Sequence, residues 1–78
     1  MEHEISLSDL SVDESAKIDH LLISGSMRRR LTDIGFVKDT KIKCVGKSPC
    51  GDPSAFLVRG AVIAIREEDG KKIIVRRV

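Results

Sequence analysis

The chain has 78 residues, a net charge of +2 and 41% hydrophobic residues, with two Phe as its only aromatic side chains. A chain of this length forms one domain, residues 1–78, in which a compact binding module is easier to build than a deep substrate cleft. The modest charge and scarce aromatics argue against nucleic-acid binding, and no apolar run is long enough to span a membrane.

The first residues point to a reducing compartment, and the cysteines are interpreted on that basis. The segment MEHEISLSDL has no apolar core of the kind found in signal peptides, so a cytoplasmic protein without membrane insertion is expected. Cys44 and Cys50 need not pair there. Without a second cysteine pair at ligand spacing they also do not predict a zinc finger.

The first part of the chain predicts extended structure. Residues 5–10 form a short extended segment, and a polar turn then leads to a period-two run over Ala16–Ile23. The alternation predicts a strand with one set of side chains on a single face: Ala16, Ile18, His20 and Leu22.

One short helix is predicted next. Its apolar side chains are spaced four and three residues apart: Met27, Leu31 and Ile34. This spacing gives one apolar helix face that must pack on the sheet. Ser24 or Ser26 can cap the helix, and Gly35 can end it in a left-handed conformation.

The rest of the chain predicts further strands separated by turns. Period two resumes over residues 39–48, with Ile42 and Cys44 facing the core, and two runs then meet at a tight turn near Gly60. Residues 67–70 read as a polar turn, and residues 71–78 as the last strand. The chain is therefore expected to be mainly β, a small barrel of five to six strands whose closure removes sheet edges.

Three consecutive arginines occupy the helix outside its apolar face. They are Arg28, Arg29 and Arg30, and Asp33 lies at the spacing of intrahelical ion pairs. Two interpretations stay open. The arginines form a solvated face, or they form a docking surface, because guanidinium groups bind carboxylates bidentately.

Residues 48–53, Ser-Pro-Cys-Gly-Asp-Pro, invite a catalytic or metal-binding interpretation that the rest of the chain does not support. No histidine lies near Cys50 in sequence to act as its base. Pro49 and Pro53 fix φ, Gly51 permits positive φ, and Asp52 can bond to its own backbone two residues on. A structural turn is predicted, and the chain is not expected to be an enzyme.

No dedicated metal site is predicted. His3, with Glu2 and Glu4, could hold a divalent ion weakly near the start of the chain, so no cofactor beyond such a weakly bound metal is expected. Cys44, in mid-strand, reads as a small buried hydrophobe.

Three segments in order resemble the FeoA family, ferrous iron transport protein A. They are Arg28–Thr40, Ser48–Gly60 and Val62–Val75. Asp39 stands where the family often has Gly, so a positive φ is expected there, and Gly70 stands where Ala is common. The resemblance also extends to the SH3-like domain of iron regulators of the diphtheria toxin repressor type.

This resemblance implies an SH3-like β-barrel that regulates or assembles FeoB, the GTP-binding iron permease, by contact with its cytoplasmic portion. Too few aromatics are present for a polyproline groove. The expected partner-binding residues are Arg28, Arg29, Arg30, Asp33, Ser48, Pro49, Gly51, Asp52, Pro53 and Arg59. A monomer or weak oligomer is expected. The alternatives are a module that responds to iron(II) or another divalent metal, and a nucleic-acid-binding barrel.

Overall fold

Six strands form one antiparallel sheet in a computed structural model that describes residues 4–78. The strands are β1 (Glu4–Ser6), β2 (Ser15–Leu21), β3 (Lys41–Lys47), β4 (Ser54–Val58), β5 (Ala61–Ile65) and β6 (Ile73–Arg77). Their order in the sheet is β1-β6-β2-β3-β4-β5. The predicted mainly β architecture is confirmed. The predicted removal of edges is not seen in the described residues, because β1 and β5 remain sheet edges.

Three helical segments connect the strands: a 3-10 turn (Leu7–Asp9), α1 (Gly25–Ile34) and α2 (Glu67–Gly70). The sequence prediction had residues 5–10 as an extended segment and residues 67–70 as a polar turn, so it was wrong about the 3-10 turn and did not predict α2. The Asp69 and Gly70 N–H groups both donate to the carbonyl of Arg66, which tightens that turn into helix. No helix among residues 4–78 has the length and apolar character needed to cross a membrane.

The core is aliphatic, as the composition predicts, with both phenylalanines at its centre. The side chains with at most 2% exposure are Leu7, Leu10, Ala16, Ile18, Leu31, Phe36, Ile42, Cys44, Phe56, Val58, Ile73 and Val75. They come from every strand except the two edges, from α1, and from the segments around the 3-10 turn and after α1, which supply Leu7, Leu10 and Phe36. The alternation of β3 is confirmed, and Cys44 is a free thiol buried among hydrophobic side chains.

The predicted alternation of β2 is correct only as far as Ile18. The register with β6 shifts between Ile18 and His20, which makes Asp19 the extra residue of a β-bulge. The phase of the strand therefore changes. Leu21 is buried, whereas Leu22 is 61% exposed, the opposite of the predicted assignment.

Helix α1 packs on the sheet through its predicted apolar face, where Leu31 is buried and Met27 and Ile34 are partly buried. Ser24 occupies the N-cap position, but its side chain makes no capping hydrogen bond. Gly35 ends the helix at φ 129°, and its N–H donates to the carbonyls of Leu31 and Thr32. The predicted glycine stop is confirmed.

Candidate protein-docking surface

The arginines of α1 differ in what they contact. Arg28 donates from Nη1 to the Leu21 carbonyl oxygen at 3.2 Å, which ties the helix to the end of β2. Arg29 and Arg30 are exposed, and neither meets a carboxylate in the described part of the chain. Within the same residues Asp33 forms no ion pair, so the expected intrahelical pairing is not seen. Two guanidinium groups are thus left facing solvent.

Gly35 and Arg59 connect the end of α1 to the turn between β4 and β5. A Cβ atom at Gly35 would lie 2.9 Å from Cδ and 3.1 Å from Nε of Arg59, closer than side chains normally approach. Arg59 sits at φ 50° and Gly60 at φ 83°, a two-residue turn that confirms the predicted tight turn. Glycine is therefore favoured here by its positive φ, and any side chain at this position would also displace the end of the exposed Arg59 side chain.

The loop of residues 48–53 is closed by its own backbone. The Gly51 N–H donates to the Ser48 carbonyl at 2.8 Å, and the Ser48 N–H donates to the Pro53 carbonyl at 3.1 Å. Pro49, Cys50 and Gly51 are exposed at its tip. These contacts agree with the predicted structural turn.

Asp52 has a partner that sequence reasoning missed. Its Oδ1 accepts from the Glu67 N–H at 2.9 Å, at the first turn of α2, rather than from its own backbone two residues on. An acceptor at a helix start satisfies a donor that has no partner within the helix. The contact joins residues fifteen apart, a distance that no local pattern encodes. It fixes the loop against α2.

A groove of about 230 Å³ runs between α1 and β5. Its lining is Met27, Arg30, Leu31, Ile34, Ile63, Ala64, Ile65, Arg66 and Asp69. A smaller pocket near the loop, lined in part by Lys47 and Gly51, shares Ile65 and Arg66 with the groove. The structure thus brings the helix and the loop, two predicted parts of the partner surface, together around Arg66. That residue was not among the predicted site residues.

The outward face of the sheet next to this groove is apolar. Leu57 is 36% and Val62 is 65% exposed, and the two are directly opposite each other on β4 and β5. Val45, at a second register shift in β3, is 37% exposed. Exposed apolar side chains grouped in this way are typical of protein interaction surfaces. Arg59 lies at one end of β5 and Arg66 at the other.

The β6 side of the sheet carries arginines with carboxylate partners. Arg76 contacts Asp39 through Nη2, and its Nε lies 3.1 Å from Oδ1 of Asp19. Arg77 Nε donates to Oε2 of Glu14 at 2.5 Å. Asp39 sits at φ 70°, which confirms the positive φ that the family resemblance implies at this position.

Two carboxyl groups on this side have lowered pKa values. The pKa of Glu14 is lowered first by the hydrogen bond it accepts from the Ser11 N–H, and then by Arg77. The pKa of Asp19 is lowered mainly by its hydrogen bond with His20; desolvation, the next largest effect, raises that pKa, and the charges of His20, Arg76 and Lys38 each lower it by less. Both groups are therefore held in their charged form.

Glu4, Asp19 and His20 come together at the junction of β1, β2 and β6. One ligand atom of each lies within 4.8 Å of the other two, and Nδ1 of His20 is 2.5 Å from Oδ2 of Asp19. A mixed imidazole and carboxylate set suits zinc or ferrous iron. The sequence prediction placed a weak site at His3, Glu2 and Glu4; the first two lie outside the described residues. The bulge at Asp19 is what brings the three side chains together.

The model of the FeoA domain matches residues 5–77 of the chain. A FeoA-like protein from Clostridium acetobutylicum is 31% identical, with a TM-score of 0.87 over 100% of this chain and 91% of that one. FeoA from Stenotrophomonas maltophilia, complexed with zinc and described as a prokaryotic SH3 domain protein, is 29% identical, with a TM-score of 0.78 over 91% and 88%.

IdeR from T. acidophilum shares the fold, with a TM-score of 0.83 at 21% identity over 96% of this chain and 34% of its own. The expected structural link to iron regulators is thereby confirmed. No curated protein matches the chain.

Proposed function

The chain belongs to the FeoA family, which is linked to ferrous iron transport, and from this premise we propose that it is a cytoplasmic accessory protein of a FeoB-type iron permease. It acts by contact with the permease's cytoplasmic portion, regulating or assembling the transporter, and not by catalysis or by binding nucleic acid. The relative from Stenotrophomonas maltophilia was put forward as a bacterial ferrous iron transport activating factor, which agrees with this role.

One observation carries the proposal beyond the family. Arg30 and Arg66 carry no carboxylate partner in residues 4–78, and they line the groove between α1 and the open strand β5, next to exposed apolar side chains. Protein interfaces typically combine apolar surface with arginine, which is enriched there. The same surface lacks the aromatic side chains that would stack on nucleic-acid bases.

The test is an NMR titration of the ¹⁵N-labelled chain with the purified cytoplasmic GTP-binding domain of the permease encoded in the same genome. We expect saturable shifts on α1, β5 and the loop of residues 48–53, and a weak complex in the micromolar range. The variant Lys17→Glu, on β2 and three strands from β5 in the sheet order, serves as a control that should leave these shifts unchanged. An absence of shifts at about 1 mM of the permease domain contradicts the proposal.

A second candidate function is divalent metal binding, favoured by the grouping of Glu4, Asp19 and His20. Three ligands leave coordination positions open for water or for a partner's side chain. The nearby Arg76 opposes a cation, so affinity should be modest. Anaerobic calorimetry with ferrous iron, repeated with zinc, should give stoichiometric heat that His20→Ala abolishes and Cys50→Ser does not. A flat trace, or equal binding by the two variants, rejects this function.

A further inference from the structure

We propose that the groove between α1 and β5 binds an extended acidic segment of a partner protein, which adds to β5 as a further strand. The identity of the partner rests on the proposed function. The chemistry of the segment follows from the groove itself, which combines an open strand edge, apolar lining residues and two arginines without a carboxylate partner in residues 4–78.

The edge of β5 offers backbone groups to a new strand. In the β4–β5 hairpin, Val58 and Ala61 close a two-residue turn, and the register continues through Phe56 opposite Ile63. Hydrogen-bonded and non-hydrogen-bonded pairs alternate along such a ladder, so the N–H and C=O groups of Val62 and Ala64 point away from β4. No other strand of the described chain pairs with this edge. An extended peptide can bind there by strand addition.

The groove gives such a strand a place for apolar side chains. Met27, Ile34 and Ile63 are only partly buried, and they line the groove together with the buried Leu31 and Ile65. A strand added to β5 directs alternate side chains to its two faces. One set then enters the groove beside α1, and the other extends the exposed apolar row of Leu57 and Val62.

Charge decides what kind of segment fits. Arg30 and Arg66 line the groove without a carboxylate partner in residues 4–78, and the one acidic side chain in the described lining is Asp69. Guanidinium groups bind carboxylates in a fixed bidentate geometry, so acidic residues at the ends of an apolar stretch are favoured. Pairing with β5 of a second copy would instead bring two sets of arginines together, and like charges oppose it.

The experiment uses the full chain and the synthetic peptide EEVIVEE, blocked at both ends, with KKVIVKK as the charge-reversed control. Titration of EEVIVEE should shift the amide signals of Val62 and Ala64 and the methyl signals of Met27, Ile34 and Ile63. Hydrogen exchange at Val62 and Ala64 should slow at saturation, because strand addition protects those N–H groups. KKVIVKK should bind at least tenfold more weakly.

Two variants with the same change in charge localise the interaction. Arg30→Glu lies in the groove and should weaken EEVIVEE about tenfold. Arg29→Glu is on the same helix, outside the groove, and should weaken it no more than about twofold. Equal losses, equal binding of both peptides, or shifts without slowed exchange would overturn the proposal. So would a β5-mediated dimer in analytical ultracentrifugation that EEVIVEE fails to dissociate.

The same variants separate this inference from the proposed function. If the permease domain binds the parent chain and the double variant Arg30→Glu, Arg66→Glu with equal affinity, the groove proposal fails and the accessory function stands. If EEVIVEE binds in the groove but no permease domain binds, the groove stands and the function fails.

Discussion

Arginines on the two sides of this sheet have opposite surroundings. On the β6 side Arg76 and Arg77 contact Asp19, Asp39 and Glu14. On the α1–β5 side the described residues give Arg30 and Arg66 no carboxylate, although exposed acidic side chains such as Asp33 lie on the same helix. The first set of charges is used within the fold. The second set of charges is available to a partner. This difference in pairing, rather than the net charge, locates the proposed docking surface.

The strongest test of the α1–β5 side is Gly35→Ala. The substitution places a Cβ 2.9 Å from Arg59 and forces alanine to φ 129°, so we expect a loss of about 1–3 kcal/mol in the free energy of unfolding by urea denaturation. Arg59→Ala in the same background should recover part of that loss. No recovery would show that backbone strain alone is responsible and that Arg59 does not press on the helix end.

Asp52→Ala tests whether the loop is fixed against α2 beside Arg66. Losing the acceptor for the Glu67 N–H should cost about 1 kcal/mol and speed amide exchange at Glu67. Asp52→Asn keeps an oxygen acceptor, so most of the stability should remain. If both variants were as stable as the parent chain, the contact would contribute nothing to holding the loop.

Acid should act on the β6 side. The folded-state pKa values of Glu14 and Asp19 are lowered, so their contribution to stability is full above the ordinary carboxyl pKa near 4 and is lost as pH falls through the folded values. Stability measured by denaturation should therefore decline below about pH 4, and Glu14→Gln with Asp19→Asn should flatten that decline. A decline unchanged by the double variant would assign the acid sensitivity to other carboxyl groups.

The smallest stability effect is expected where the arginines have no partner. Arg30→Gln and Arg66→Gln should each change the free energy of unfolding by less than about 0.5 kcal/mol, because no ion pair is lost. Arg76→Gln removes contacts to two carboxylates and should destabilise the chain more than either. The ranking, read from thermal melts in one buffer, would be contradicted if Arg30→Gln were the most destabilising of the three.

Much of the fold follows from local rules in the sequence. The apolar periods predicted the buried faces of α1 and β3, and turn chemistry predicted the helix stop at Gly35 and the tight turn at Gly60. Such features depend on a few neighbouring residues, so one amino-acid sequence is enough to predict them. The resemblance to the FeoA family was confirmed by the family match over residues 5–77.

Only the tertiary structure decided which distant groups meet. The bulge at Asp19 reversed the expected faces of Leu21 and Leu22 and brought Glu4 and His20 to one place. Asp52 accepts a hydrogen bond from Glu67, fifteen residues away, and Arg66 lines the groove beside α1. The apolar pattern repeats every two to four residues, so it contains no information on which residues of two strands are paired. Register fixes which side chains share a surface, and therefore which arginines are paired and which remain free.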